Sequence, residues 1–204
     1  FRGGGAMERV RVQAAAGERV TVQRDVEVRD PRRWWPRELG SQHRYTVRAK
    51  LDGAERTATT GFSTVSLDDG ELHINGRRAR ARGINVLPIE DPVAAVEAAA
   101  GANANLVRAH AHVASPSFRE ACDEAGIVLW QDLPLSGAVD VDPERGAELA
   151  DALVETTRAS PSVGVYGVHD DPTDPFEQPL GSGRIARSRL RWRAWRPEHD
   201  RSTA

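Results

Sequence analysis

The sequence predicts an antiparallel β portion followed by an α/β portion built on parallel strands, and three observations lead there. The first 62 residues alternate polar and apolar positions with a period near two. From Ser63 onward short apolar strands take turns with helix patterns. Residues able to do chemistry gather just after those strands, which is where doubly wound sheets and (β/α)8 barrels alike meet their ligands.

The β portion rests on "RVRVQ", "RVTVQRDVEV" and "HRYTVRAKL", with turn signals in "AAAGE" and "LDG" between them and no helix signal among them. This is the pattern of an antiparallel sandwich or part of one. In "DDGELHINGRRARARGINVLP" the Asn75-Gly76 dipeptide predicts a tight hairpin, followed by an apolar strand ending near Asn85. "EDPVAAVEAAAGAN" predicts a helix with Asp91 as N-cap, Pro92 at its first position and Gly101 at its end. "NLVRAHAHV" then reads as a second strand, and "SPSFREACDEAG" as a helix capped by Ser115 or Ser117 and closed by Gly126. "IVLWQDLP" is the third strand. Asp142 and Pro143 start a third helix with "ERGAELADALVETTRA" as its body, and "SVGVYGVHDD" is the fourth strand. Strands this apolar are buried on both faces, so the sheet is expected to be parallel.

With 204 residues and 39% hydrophobic content, the chain can bury a core. No run approaches the roughly 20 apolar residues that cross a bilayer, and no basic-then-apolar secretory pattern opens it. No membrane is expected, and the cytoplasm is the default compartment. The chain starts at Phe1 rather than Met, as expected of a processed product, a fragment or a displaced start. The single cysteine, Cys122, excludes an internal disulfide framework and a multi-cysteine zinc site; it reads as a small buried helix residue. The net charge of -2 is unevenly spread, because seven arginines from Arg184 onward face only Glu198 and Asp200. Ile185, Leu190, Trp192 and Trp195 are interleaved with those arginines, as on a helix with a solvated charged face rather than a nucleic-acid arm. No nucleic-acid partner is expected.

The residues gathered after the strands are Asn85; Arg108, His110 and His112; Gln131 and Asp132; and His169, Asp170 and Asp171. Asp171 can move a proton or cap the turn before Pro172, whereas Asp170 suits binding or the turn, and His169 is a further acid. Arg108 either faces a ligand or pairs with Asp132. Two residues apart on a strand, His110 and His112 project to one side. That gives a minor alternative, a metal-dependent hydrolase with Asp171 or Asp132 as third ligand.

Four segments, "DPRRWWPRELGSQHRYTVRAKL", "TTGFSTVSLDDGELHINGRRARARGIN", "NANLVRAHAHVASPSFREACDEAGIVLWQDLPL" and "SPSVGVYGVHDD", resemble in order the landmarks of glycoside hydrolase family 2. That is the β-galactosidase, β-glucuronidase and β-mannosidase group. The resemblance runs from about Val26 to Asp171, with "WQD" most similar to the β-mannosidase branch. It implies an immunoglobulin-like β-sandwich portion over 1–62, the N-terminal half of a (β/α)8 TIM barrel over 63–172, and a loop with an Arg-rich helical tail over 173–204. It also implies hydrolysis of β-linked glycosides of β-mannoside or β-galactoside type, with retention and without a cofactor. Asp171 falls at the acid/base position beside Asp170. Asn85, Arg108, His110, His112, Asp132 and His169 become candidates for contact with a carbohydrate substrate, and no metal is implied.

Two departures shape the expectation. Where the family has Asn-Glu, this chain has Asp170 and Asp171, and a carboxyl one methylene shorter stands roughly 1 to 1.5 Å back, a misplacement that can cost on the order of a hundredfold in rate. The neighbouring charge favours keeping one of the two protonated, as an acid requires. Moreover, the 142 residues from Ser63 to Ala204 fall short of the roughly 250 of a complete barrel, and no second catalytic carboxylate stands at a matching place. The expectation is a fragment completed by a C-terminal half, a chain that pairs with a second copy, or a small open sheet with the arginine-rich tail covering one edge. Its alternative is a catalytically degenerate carbohydrate-binding or assembly protein that keeps the fold.

Overall fold

The computed structural model describes residues 7–88, 90–135 and 143–168. The chain divides into two compact units, one up to Arg32 and one from Arg33 onward. In the first unit, Met7 to Glu27 is exposed throughout and contains no strand, contrary to the expectation from "RVRVQ" and "RVTVQRDVEV". Alternation makes a strand only where a neighbour takes the backbone hydrogen bonds and one face is covered. Among the described residues neither condition is met there. The "AAAGE" signal does form a turn, in which the Glu18 backbone N–H donates to the Ala15 carbonyl at 3.0 Å.

The second unit begins with a hairpin of β1 (Tyr45–Leu51) and β2 (Ala54–Thr60), antiparallel and joined through Asp52-Gly53. Next comes a small antiparallel sheet of β3 (Val65–Asp68), β4 (Glu71–Ile74) and β5 (Arg77–Arg78). Its β4–β5 turn is the predicted Asn75-Gly76 pair. Asn75 takes φ 51°, a left-handed value that asparagine tolerates because its short amide bonds locally.

Four parallel strands follow: β6 (Gly83–Val86), β7 (Leu106–Ala109), β8 (Val128–Asp132) and β9 (Val163–Gly167). They lie side by side in chain order with no reversal, and they form an open sheet. Between them run α1 (Pro92–Gly101), α2 (Pro116–Ala125) and α3 (Pro143–Thr157). Asp91 caps α1 by accepting from the Ala94 N–H at 3.0 Å. Of the two serines expected at α2, Ser115 is the cap, accepting from the Phe118 N–H at 3.1 Å. Gly126 ends that helix at φ 69° with the Gln42 amide packed against its Cα. A side chain there would be strained and would collide.

The two faces of the sheet bury different partners. Val107, Ala109 and Leu129 point to the helices and pack with Val96, Phe118 and Cys122. Leu106 and Val128 point the other way, against Trp34, Ile74 and Ala79 at the amino ends of the strands. Trp34 is 1% exposed; its backbone N–H donates to Phe62 and its indole N–H to the Asp123 carbonyl at 2.8 Å. Asn75 ties the small sheet to the same point, donating to the Trp34 carbonyl while its side-chain oxygen accepts from the Thr64 N–H. Among the described residues no helix is long and apolar enough to cross a membrane.

Candidate active site

The carboxyl ends of the parallel strands carry the paired charges. Asn85, Arg108 and Trp130 stand in one row across β6, β7 and β8, so in a parallel ladder they share a face. Arg108 donates through Nε and Nη2, both at 2.8 Å, to a single oxygen of Asp132, Oδ2. The same oxygen accepts from the Ala111 N–H at 3.4 Å and lies 3.7 Å from His110 Nδ1. The Arg108 guanidinium also covers the Trp130 ring, 5.1 Å from its centroid. Asp132 is 2% exposed. A carboxylate so deeply buried needs such donors, because desolvation of an unpaired charge is expensive. Among the described residues, its other oxygen, Oδ1, and the Trp130 indole N–H are buried without a hydrogen-bond partner.

The loop after β7 is built by the neighbour that points the opposite way. Gln131 lies between Trp130 and Asp132, so its side chain faces the helices, where it is fully buried. Its Oε1 accepts from the Ala114 N–H at 3.0 Å and its Nε2 donates to the His112 carbonyl at 2.7 Å. This fixes residues 110–114 and aims the Ala111 N–H at Asp132. Ala111 takes φ 55° to do so, an uncommon conformation for alanine that the surrounding bonds hold in place.

The sequence candidates therefore separate. Arg108, His110 and Asp132 come together, with Arg108 in an ion pair with Asp132. Asn85 is exposed at the end of β6, one ladder position from Arg108. Trp130 is half-buried, packed against the Trp34–Ile74 cluster on one side and beneath the Arg108 guanidinium. His110 and His112 do not stand two apart on a strand, because β7 ends at Ala109 and both belong to the following turn. His112 Nδ1 lies 3.0 Å from the His110 carbonyl oxygen, turned back into its own loop. Among the described residues no group of three or more His, Cys, Asp or Glu side chains could hold a metal ion. His169, Asp170 and Asp171 lie outside the described residues, as does the Arg-rich tail. Burial pushes the Cys122 thiol pKa up, which suits its predicted place as a core residue.

Two contributors escaped the sequence reading of roles. Gln131 was legible as polar but not as the anchor of the 110–114 loop; strand alternation between Trp130 and Asp132 was the available signal. Gly167, opposite Asp132 on β9, carries no sequence signal that distinguishes it from a glycine in any strand.

An immobilised guanidinium above an aromatic ring, held by a buried carboxylate, is a preorganised positive charge. Such a group stabilises negative charge that develops or resides on a neighbour, with no reorganisation at the moment of reaction.

No family model matches the chain. It is 28% identical to β-mannosidase A of Aspergillus clavatus, over 83% of this chain and 21% of that enzyme. With a β-mannosidase of Capra hircus the identity is 30%, over 52% of this chain and 15% of the other. The chain thus spans about a fifth or less of the curated relatives it matches. Among solved structures, a glycoside hydrolase family 2 β-galacturonidase of Eisenbergiella tayi superposes with a TM-score of 0.62, covering 84% of this chain and 32% of that one at 19% identity. At that identity the likeness speaks for the fold.

Proposed function

Because this chain is related to glycoside hydrolase family 2 over part of that family's length, we propose that it forms the early part of a β-glycosidase. In this reading residues 1–62 belong to an immunoglobulin-like sandwich, and 63–172 supply the first four strands of a (β/α)8 barrel. The unreversed order of β6 to β9 supports a barrel over a doubly wound sheet, whose strand order reverses at its switch point. The observation that carries the proposal is the Arg108–Asp132 pair at the carboxyl ends of those strands. Gly167 is level with Asp132, and Asp170 and Asp171 follow three and four residues later.

The reaction proposed is hydrolysis of a β-mannoside or β-galactoside with retention. Asp171 protonates the glycosidic oxygen as the bond to the leaving group breaks, while a second carboxylate attacks the anomeric carbon. Asp171 then takes a proton from a water whose oxygen bonds to the anomeric carbon, breaking the bond to the attacking carboxylate and releasing the sugar. Arg108 holds positive charge beside the attacking carboxylate, and Asn85, His110 and His169 are the candidates for sugar hydroxyls. The relatives' printed activities and the strand-end charges support this reading together.

The test is turnover of p-nitrophenyl β-mannoside and β-galactoside by the polypeptide that carries this chain. Asp171→Ala is expected to lower kcat by a hundredfold or more, the range for removing a general acid. Unchanged turnover in that variant rejects the role of Asp171. A second reading is favoured by the shortened acid: a protein that keeps the fold and binds carbohydrate without cleaving it. Binding of mannose or galactose oligosaccharides without turnover would select it.

A further inference from the structure

Gly167 does not owe its identity to backbone conformation, since its φ lies outside the left-handed region. Its neighbours impose it. A Cβ built at this position overlaps Asp132 Oδ1, with the indole nitrogen of Trp130 at 2.7 Å and Asp132 Cγ at 3.2 Å. None of these can move aside cheaply. The Asp132 side chain is 4% exposed, its Oδ2 is held by Arg108, and Trp130 is pressed beneath the same guanidinium. Gly167 cannot retreat either, because its carbonyl accepts from the Leu133 N–H at 2.8 Å and it belongs to the β8–β9 ladder.

We infer that Gly167 is a positioning residue for the Arg108–Asp132 pair, setting the angle of the Asp132 carboxylate and through it the place of the guanidinium. The inference rests on the reading of these strand ends as a catalytic site. A methyl group at 167 turns the carboxylate about its Cβ–Cγ bond. That draws Oδ2 away from Nε and Nη2 of Arg108 together, and a shift of about 1 Å in a positioned group can lower a rate by about a hundredfold. The bare Cα thus acts at Arg108 without touching it.

The experiment is a double-variant cycle read by NMR on the chain itself, following the Arg108 Nε–H and Trp130 Nε1–H signals. In Gly167→Ala both signals shift, and exchange of the Arg108 Nε–H with solvent speeds up at least tenfold. In an Asp132→Ala background there is no carboxylate to displace, so adding Gly167→Ala leaves the Arg108 signal where Asp132→Ala alone put it. An unchanged Arg108 signal in folded Gly167→Ala, or effects that add in full across the cycle, overturn the inference. If Gly167→Ala does not fold, recovery of folding on adding Asp132→Ala supports it. Failure of the double variant to fold while Asp132→Ala folds places the collision elsewhere and overturns it. None of these readouts needs turnover, so a failed glycosidase assay and a failed positioning test are separate results.

Discussion

The two ends of the four-stranded parallel sheet are closed by different chemistry. At the amino ends, Trp34, Ile74, Leu106 and Val128 make an apolar plug, and Trp34 and Asn75 tie it to the backbone: Trp34 to Phe62 and Asp123, Asn75 to Trp34. At the carboxyl ends a charge is buried instead, with Arg108 and the Ala111 N–H gathered on one oxygen of Asp132. Apolar burial is non-directional, whereas a buried carboxylate is held by hydrogen bonds whose angles matter. The difference teaches that the amino end carries stability, while the carboxyl end uses some of it to hold a charge in place.

Emptying the plug is the largest way to test that contrast. Trp34→Ala removes the largest fully buried side chain and is expected to destabilise the chain by about 3 to 5 kcal/mol, from lost transfer and a residual cavity. Urea denaturation followed by circular dichroism measures it. A loss below about 1 kcal/mol would mean that the plug is not the main anchor of the small sheet.

At the opposite end, Arg108→Ala leaves Asp132 buried and uncompensated. Breaking a buried pair in this way costs about 3 to 5 kcal/mol, and the partial exposure of Arg108, 21% for its side chain, sets the expectation at about 3. The matching apolar double variant, Arg108→Met with Asp132→Leu, should recover most of that loss. If the double variant is no more stable than Arg108→Ala, the pair itself stabilises the fold and the contrast between the ends fails.

The elements that local chemistry decides were legible in the sequence. Asp91-Pro92, Ser115-Pro116 and Gly126 mark helix ends that the structure keeps, and Asn75-Gly76 marks a turn whose φ values only those residue types adopt readily. The convergence of Arg108 and Asp132 was legible only as two residues after consecutive strands, since register and side-chain reach belong to the folded sheet. "RVRVQ" and "RVTVQRDVEV" were misread for a related reason: alternation reports which face a strand could bury, not whether a partner is there to cover it. Gly167 was silent because a collision with Asp132 across β8 and β9 has no local signature.

Asp123 makes the amino end sensitive to pH. Burial raises its pKa from 3.8 to about 6, against the lowering effect of hydrogen bonds from Ser162 and the charges of Arg44 and Arg119. The folded chain therefore holds this proton more tightly than the unfolded chain does. The stability it contributes is full below about pH 4 and is lost as pH rises to about 6, by up to about 3 kcal/mol for this group. Asp123→Asn should flatten the fall, as read from urea midpoints across that window. An unaltered pH profile would remove Asp123 as its source.

The smallest expected effect separates the two ends most cleanly. Ser115 caps α2 at the carboxyl end of the sheet, one residue after Ala114, whose N–H and carbonyl are taken by Gln131 and Arg119. Ser115→Ala exposes an unpaired N–H at Phe118 and should cost about 1 kcal/mol. Because Gln131 still pins Ala114, the loosening is expected to be local: faster amide exchange over residues 111–118 and unchanged protection at Trp34 and Ile74, 1% and 0% exposed. A fall in protection at both ends would mean that the plug and the charged site unfold as one unit, so that the helix cap reports on the whole sheet rather than on the end it closes.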